Sequence, residues 1–333
     1  MIPPVTMPHS RSFASAAFAF FLATAADAGA QPIETPVEAT GPTGTLRGTM
    51  AGPSPEPNGP VVLIVPGSGP TDRDGNNPLG IRASTYRMLA EELAERGIVS
   101  VRIDKRGMFG SADAAADPND ITIAGYAADV RAWTVAIRRR TGARCVWLAG
   151  HSEGGLVVSV AGRSDANACG LVLMAAPGRP MGEILRRQLA ANLANAPILD
   201  EASNLISDLE AGRTVDMSGR HAALQGLFHP NVQPFLIDLF SYRPAAVLRA
   251  YRRPVLILQG TSDLQIWLDD GRTLAAALPG AELVELDGVN HVLKPAPADD
   301  REANVATYTD ASLPLAAGVA ETIAAFVHRH MQE

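Results

Sequence analysis

A chain of 333 residues with 47% apolar side chains has room for one large domain or two ordinary ones, and enough nonpolar mass for a substantial core. That composition is unlike a disordered or coiled-coil protein. Net charge is −7 and the longest cationic run is Arg138-Arg139-Arg140, at the end of a predicted helix where positive charge suits the dipole, so the balance argues against a nucleic-acid partner.

At the amino terminus, Arg11 precedes a largely apolar run from Phe13 to Ala26, and Ala28-Gly29-Ala30 is a small-x-small processing site before Gln31. The segment 1–30 reads as a signal peptide cleaved after Ala30, with a mature chain that works in the periplasm or outside the cell. The run is shorter than the ~20 apolar residues that span a bilayer, so no stable membrane span is expected after processing. Retention as an anchor is the competing reading.

Pro32 to Gly44 reads as an extended lead-in, and Thr45 to Met50 as a first strand. Pro60 to Val65 is apolar throughout, which suits a strand buried on both faces. The loop after it, Pro66-Gly67-Ser68-Gly69-Pro70-Thr71-Asp72-Arg73-Asp74-Gly75-Asn76, is glycine-rich. It fails the dinucleotide fingerprint because Asp72 stands where the third glycine belongs, and no G-K-[ST] follows for a phosphate loop. Free backbone N–H groups in such a loop suit an oxyanion instead.

A helix is predicted from Ser84, as N-cap, to Arg96, with Gly97 ending it. Ile98 to Ile103 is the next strand, closing on Asp104-Lys105-Arg106-Gly107. Ile123, Tyr126, Val130, Trp133 and Ile137 step by three and four, predicting a helix to about Arg140. Strands follow at Cys145 to Ala149 and Gly170 to Ala175. The two cysteines, Cys145 and Cys169, open these strands. Export permits a disulfide between neighbouring strands, but buried thiols are common there and are the commoner reading.

Residues 179–252 carry helical patterns at Met181 to Asn195, Leu199 to Glu210, His221 to Phe228 and Val232 to Phe240, and no strand. An insertion at the ligand-binding end of a sheet is expected to form a cap. Leu185, Leu189, Leu193, Leu205, Leu227 and Phe235 within it suit either an apolar pocket or ordinary helix packing. The alternation then resumes with a strand at Pro254 to Gln259, a helix at Asp269 to Leu278, a strand at Ala281 to Leu286 and a closing helix from Leu315 to His330. The order predicts an α/β fold, a mostly parallel, doubly wound sheet built from 31–178 and 253–333.

The chemistry centres on Gly150-His151-Ser152-Glu153-Gly154, a G-x-S-x-G turn between a strand and a helix. Ser152, Asp263 and His291 each fall at the carboxyl end of a strand, where side chains of a parallel sheet converge. In that order they suit nucleophile, acid and base: His291 takes the serine proton and Asp263 holds its tautomer. The backbone N–H groups of Ser68 and Glu153 are the candidate oxyanion donors. Asp269, Asp270 and Asp287 are weaker candidates for the acid. His151 reads as packing, and His221, His229, His328 and His330 receive no role.

These residues resemble the α/β-hydrolase superfamily over essentially the whole mature chain. With Pro66 to Asn76, Asp104-Lys105-Arg106-Gly107 and Gly260-Thr261-Ser262-Asp263-Leu264-Gln265, the chain is similar to bacterial esterase D-like serine carboxylesterases. The resemblance implies hydrolysis of short or medium acyl esters of small molecules, with no metal and no organic cofactor. An amide-cleaving hydrolase of the same fold, or a binding protein without catalysis, are the alternatives. Two departures stand out: Pro66 replaces the histidine that often opens the oxyanion loop, and Phe109 interrupts the usual R-G-x-G-x-S.

Overall fold

Strands that are apolar on both faces need cover on both sides, and that requirement shapes the molecule. A computed structural model describes residues 31–54 and 59–331; the expected signal peptide and its cleavage site lie outside the described residues. Eight strands form one sheet: β1 (Ile33–Thr40), β2 (Thr45–Gly52), β3 (Val61–Val65), β4 (Val99–Ile103), β5 (Val146–His151), β6 (Ala168–Met174), β7 (Val255–Gly260) and β8 (Glu282–Leu286). Their order is β1-β2-β4-β3-β5-β6-β7-β8. The pairs β1/β2 and β2/β4 are antiparallel, and every pairing from β4/β3 to β7/β8 is parallel.

The helices are α1 (Thr85–Glu95), α2 (Ile123–Thr141), α3 (Glu153–Gly162), α4 (Met181–Ala190), α5 (Leu199–Glu210), α6 (Ala222–Leu227), α7 (Gln233–Ser241), α8 (Pro244–Arg249), α9 (Leu268–Ala277), α10 (Arg301–Ala306) and α11 (Val319–Met331). Alternate strand residues feed two cores. Val62, Ile64, Trp147 and Ala149 meet α1 and α11, through Leu89, Leu93, Phe326 and Val327. Val61, Leu63, Val65 and Leu148 meet α2, α3 and α9, through Val130, Trp133, Val157 and Leu274. The five helices α4 to α8 all lie between β6 and β7, in the stretch expected to be helical.

Three local expectations need correction. Ile33 to Thr40 is a strand and not a lead-in: it pairs along its whole length with β2 as one arm of a hairpin. Its position at the sheet edge leaves most of its side chains outside the core, so no apolar pattern marks it. Ser84 precedes α1 without capping it, because it sits at φ 51° and its side chain makes no cap bond. The first helical N–H groups turn instead to the Asp74 carbonyl.

The third correction concerns the cysteines, which are joined by a disulfide with a Cα–Cα distance of 5.1 Å. Their strands are parallel neighbours, but the register slips by one residue: Val146 faces Ala168 while Trp147 faces Gly170. Cys169 is the extra residue of that irregularity, the kind of bulge that re-aims a side chain. The bridge closes a loop with a sequence separation of 24. Constraining the unfolded chain over such a loop stabilises the fold by about 3 kcal/mol. Reduction, or the double substitution Cys145→Ala/Cys169→Ala, is expected to lower the melting temperature by on the order of 5 °C. Calorimetry with and without reductant checks this, and an unchanged transition would show that the bridge carries none of the stability.

Candidate active site

Strand order reverses around β3, so the loops leaving β3 and β5 open side by side at the carboxyl edge of the sheet. There Ser152 joins β5 to α3 at φ 53° and ψ −126°, a backbone strained for a side chain of its size. Its N–H donates to the Met174 carbonyl at 2.9 Å. The flanking glycines are steric necessities. A Cβ on Gly150 would stand 2.2 Å from the Gly154 carbonyl oxygen, and one on Gly154 would stand 2.4 Å from that of Val65. Turn and neighbouring strand therefore touch backbone to backbone.

His291 lies in the loop after β8, and its Nδ1–H donates to Asp263 Oδ2 at 2.9 Å. Asp263 follows β7 and is saturated: its Oδ1 accepts from the N–H groups of Gln265 and Ile266, and Gln259 Nε2 donates to Oδ2 at 3.3 Å. With Nδ1 committed, Nε2 is the nitrogen of His291 left to exchange a proton. Ser152 and His291 line the same cavity. Ser152 Oγ makes no hydrogen bond among the described residues. As the first residue of α3, Glu153 has an N–H with no intrahelical acceptor. The Ser68 N–H likewise finds no acceptor among the described residues, and both residues line the cavity.

His151 does more than pack. Its ring is buried against His291, with centroids 4.8 Å apart. Its Nε2 lies 2.7 Å from the His291 carbonyl, which can only accept, so Nε2 carries the proton and Nδ1 accepts from Tyr86 Oη at 2.8 Å. Tyr86 Oη in turn accepts from the Gly67 N–H at 3.2 Å. One chain of bonds thus ties together the loops after β3, β5 and β8. Periodicity marks Tyr86 as core and gives no hint of this.

Residues 61–307 match the alpha/beta hydrolase family. The chain belongs to that family. It is 27% identical over 244 residues to "Esterase EstD" of Thermotoga maritima, an alignment that takes in 70% of this chain and 54% of that protein, so the chain spans about half the length of the curated relative it matches. Among solved structures, GrgF, an alpha/beta hydrolase from Penicillium, superposes with a TM-score of 0.58 at 19% identity, covering 90% of this chain and 100% of that one. Est1E from Butyrivibrio proteoclasticus, determined with ferulic acid bound, does so with a TM-score of 0.56 at 15% identity, covering 87% and 96%. At such identities the two structures speak for the shared fold alone.

The cavity has a volume of about 470 Å³, and the insertion forms much of its wall. Of the six apolar residues whose role sequence leaves open, Leu185, Leu227 and Phe235 line it. Leu205 is core, Leu189 packs against the core, and Leu193 is 89% exposed.

The competing carboxylates have other work. Buried Asp270 accepts from the N–H groups of Gly178 and Arg179 and pairs with the Arg179 guanidinium. Asp269 lies 3.6 Å from Arg187, and Asp287 meets Thr261 at the surface. His221 and His229 each cap a short helical turn, and His328 meets the Arg96 carbonyl. Phe109 sits at φ 46°, so the left-handed turn persists without a glycine. No helix among the described residues is long and apolar enough to cross a membrane. No group of three or more His, Cys, Asp or Glu side chains among them is placed to hold a metal ion.

Burial and the neighbouring His291 hold the His151 pKa down from 6.5 to about 3. Between those values the unfolded chain binds a proton that the folded chain refuses, so stability rises with pH across the window and is lost on acidification. From neutrality to pH 5 this residue is expected to cost about 2 kcal/mol. Urea unfolding of wild type and His151→Gln at both pH values checks it. The variant should show a shallower dependence by that amount, and parallel curves would refute the assignment.

Proposed function

We propose that this hydrolase cleaves carboxylic esters of short to medium acyl chains through an acyl-enzyme on Ser152. The observation that carries the reading is the Asp263–His291 bond of 2.9 Å, with His291 and the strained elbow serine lining one cavity. Ser152 Oγ attacks the ester carbonyl carbon while His291 Nε2 accepts its proton. Asp263 keeps the other nitrogen protonated and stabilises the imidazolium. The N–H groups of Ser68 and Glu153 meet the negative charge that develops on the carbonyl oxygen. Collapse of the tetrahedral species breaks the bond to the alcohol oxygen, which takes the proton from His291. A water molecule then repeats the sequence on the acyl-enzyme, giving the acid and free Ser152.

The name of the Thermotoga relative supports an ester as substrate. The cavity volume, about 470 Å³, and its apolar lining from α4, α6 and α7 favour a compact acyl group, with the insertion acting as a cap. Ser152→Ala and His291→Ala are each expected to lower kcat/KM for a short p-nitrophenyl ester by about 10⁴-fold or more, and Ser152→Ala to abolish labelling by a fluorophosphonate probe. An acyl-chain series should peak at short or medium length. Wild-type hydrolysis by Ser152→Ala would overturn the mechanism, and a preference for the matched amide would overturn the ester assignment.

The leader-like segment over 1–30 and the Cys145–Cys169 bridge together support export to an oxidising compartment. Mass spectrometry of protein from the periplasmic or culture fraction is expected to find an amino terminus at Gln31. An intact leader on cytoplasmic protein would refute it.

A further inference from the structure

The acyl-transfer steps above leave Asp104-Lys105-Arg106-Gly107 unused, yet this motif places a lysine beneath the loop that follows β3. Lys105 is buried, with its side chain 4% exposed, and Nζ donates to the Gly67 carbonyl at 2.7 Å. The ammonium stands 3.6 Å from Glu153 Oε1 and 5.2 Å from the centroid of the Tyr126 ring. Glu153 is more deeply buried still, at 1%. Neither of its carboxylate oxygens has a hydrogen-bond partner among the described residues, so the charge of Lys105 is what balances it.

Peptide geometry gives this contact a direction. The Gly67–Ser68 peptide is planar and trans, so its C=O and N–H point opposite ways. Lys105 holds the carbonyl end, and the Ser68 N–H therefore faces away from the lysine, where it finds no acceptor in the described chain and borders the Ser152 cavity. Tyr86 Oη holds the preceding N–H of Gly67. Both peptides flanking Gly67 are thus fixed, and a Cβ on Gly67 would stand only 3.1 Å from that of Ser152. A cation on the carbonyl also polarises the peptide and strengthens its N–H as a donor.

We propose that Lys105 is a positioning residue for the oxyanion site: with Glu153 as counter-ion, it grips the Gly67 carbonyl and thereby aims and strengthens the Ser68 N–H. The assignment rests on the ester-hydrolase reading above. Glu153 joins the two oxyanion donors, since its N–H is one of them and its carboxylate holds the lysine that aims the other. Stability alone is a poor reason for the pair, because a buried ion pair is commonly no more stabilising than apolar side chains of the same volume.

The test compares wild type with Lys105→Met and with Lys105→Met/Glu153→Met, which removes the carboxylate that the single change would strand. Both variants should lose about 10²-fold in kcat, the scale of one oxyanion donor. KM should stay within about threefold, because the donor acts on the transition state and not on the bound ester. Affinity for a trifluoromethyl ketone, which adds to Ser152 and places an oxyanion in the site, should fall in step with kcat. Binding of the product acid should not change. The double variant should regain the melting temperature of wild type without regaining activity.

Recovery of kcat together with stability in the double variant would assign the pair a structural role and overturn the proposal. So would a loss confined to KM, an unchanged ketone affinity, or failure of the double variant to fold. Failure of the underlying reading is distinguishable, since it would appear in wild type as absent fluorophosphonate labelling or absent ester hydrolysis, whatever Lys105 does.

Discussion

Backbone-to-backbone contact between the end of β3 and the turn after β5 is the constraint from which the site follows. Gly150, Gly154 and Gly67 each stand where a Cβ would meet a neighbouring main chain or Ser152 itself. Only with those side chains absent does α3 begin directly after the serine, with Glu153 as its first residue. The strain at Ser152 is tolerated because the surrounding sheet over-determines it: β5 is buried along its length and paired on both sides.

Two histidines in ring contact illustrate how environment divides labour. His291 offers its Nδ1–H to the carboxylate of Asp263. His151 is enclosed by a tyrosine hydroxyl and a main-chain carbonyl, and burial together with the neighbouring His291 suppresses its basicity. The two rings are chemically identical and lie 4.8 Å apart. They differ in the partner that each nitrogen meets.

The helical insertion lines part of the cavity with side chains that have no intrinsic functional mark. Leu185 and Leu227 border the cavity, while Leu205, of the same residue type, is core. Helical periodicity reports only that one face is apolar. It does not say whether that face meets another helix or a space. The lining of the cavity is therefore decided by the packing of α4, α6 and α7 over the sheet.

Much of the molecule was legible from the chain itself. Uniformly apolar strands, helices at three-and-four spacing and a glycine-flanked serine specify a parallel sheet with an elbow, because each rests on local chain geometry. Ser152, Asp263 and His291 were readable as residues at strand ends in a telling order, and the structure brings Asp263 to His291 while placing Ser152 in the same cavity. The edge strand β1 was not readable, since an edge needs no apolar pattern, and neither was the disulfide, whose reach depends on a one-residue slip between β5 and β6. Sequence marks Tyr86 and His151 as packing residues, and Lys105 only as a member of the Asp104-Lys105-Arg106-Gly107 segment. Their partners are 65, 140 and 38 positions away along the chain, and only the folded sheet sets them at hydrogen-bonding distance. Local rules determine which elements form; the polar contacts that hold the candidate site are long-range, and tertiary structure alone decides them.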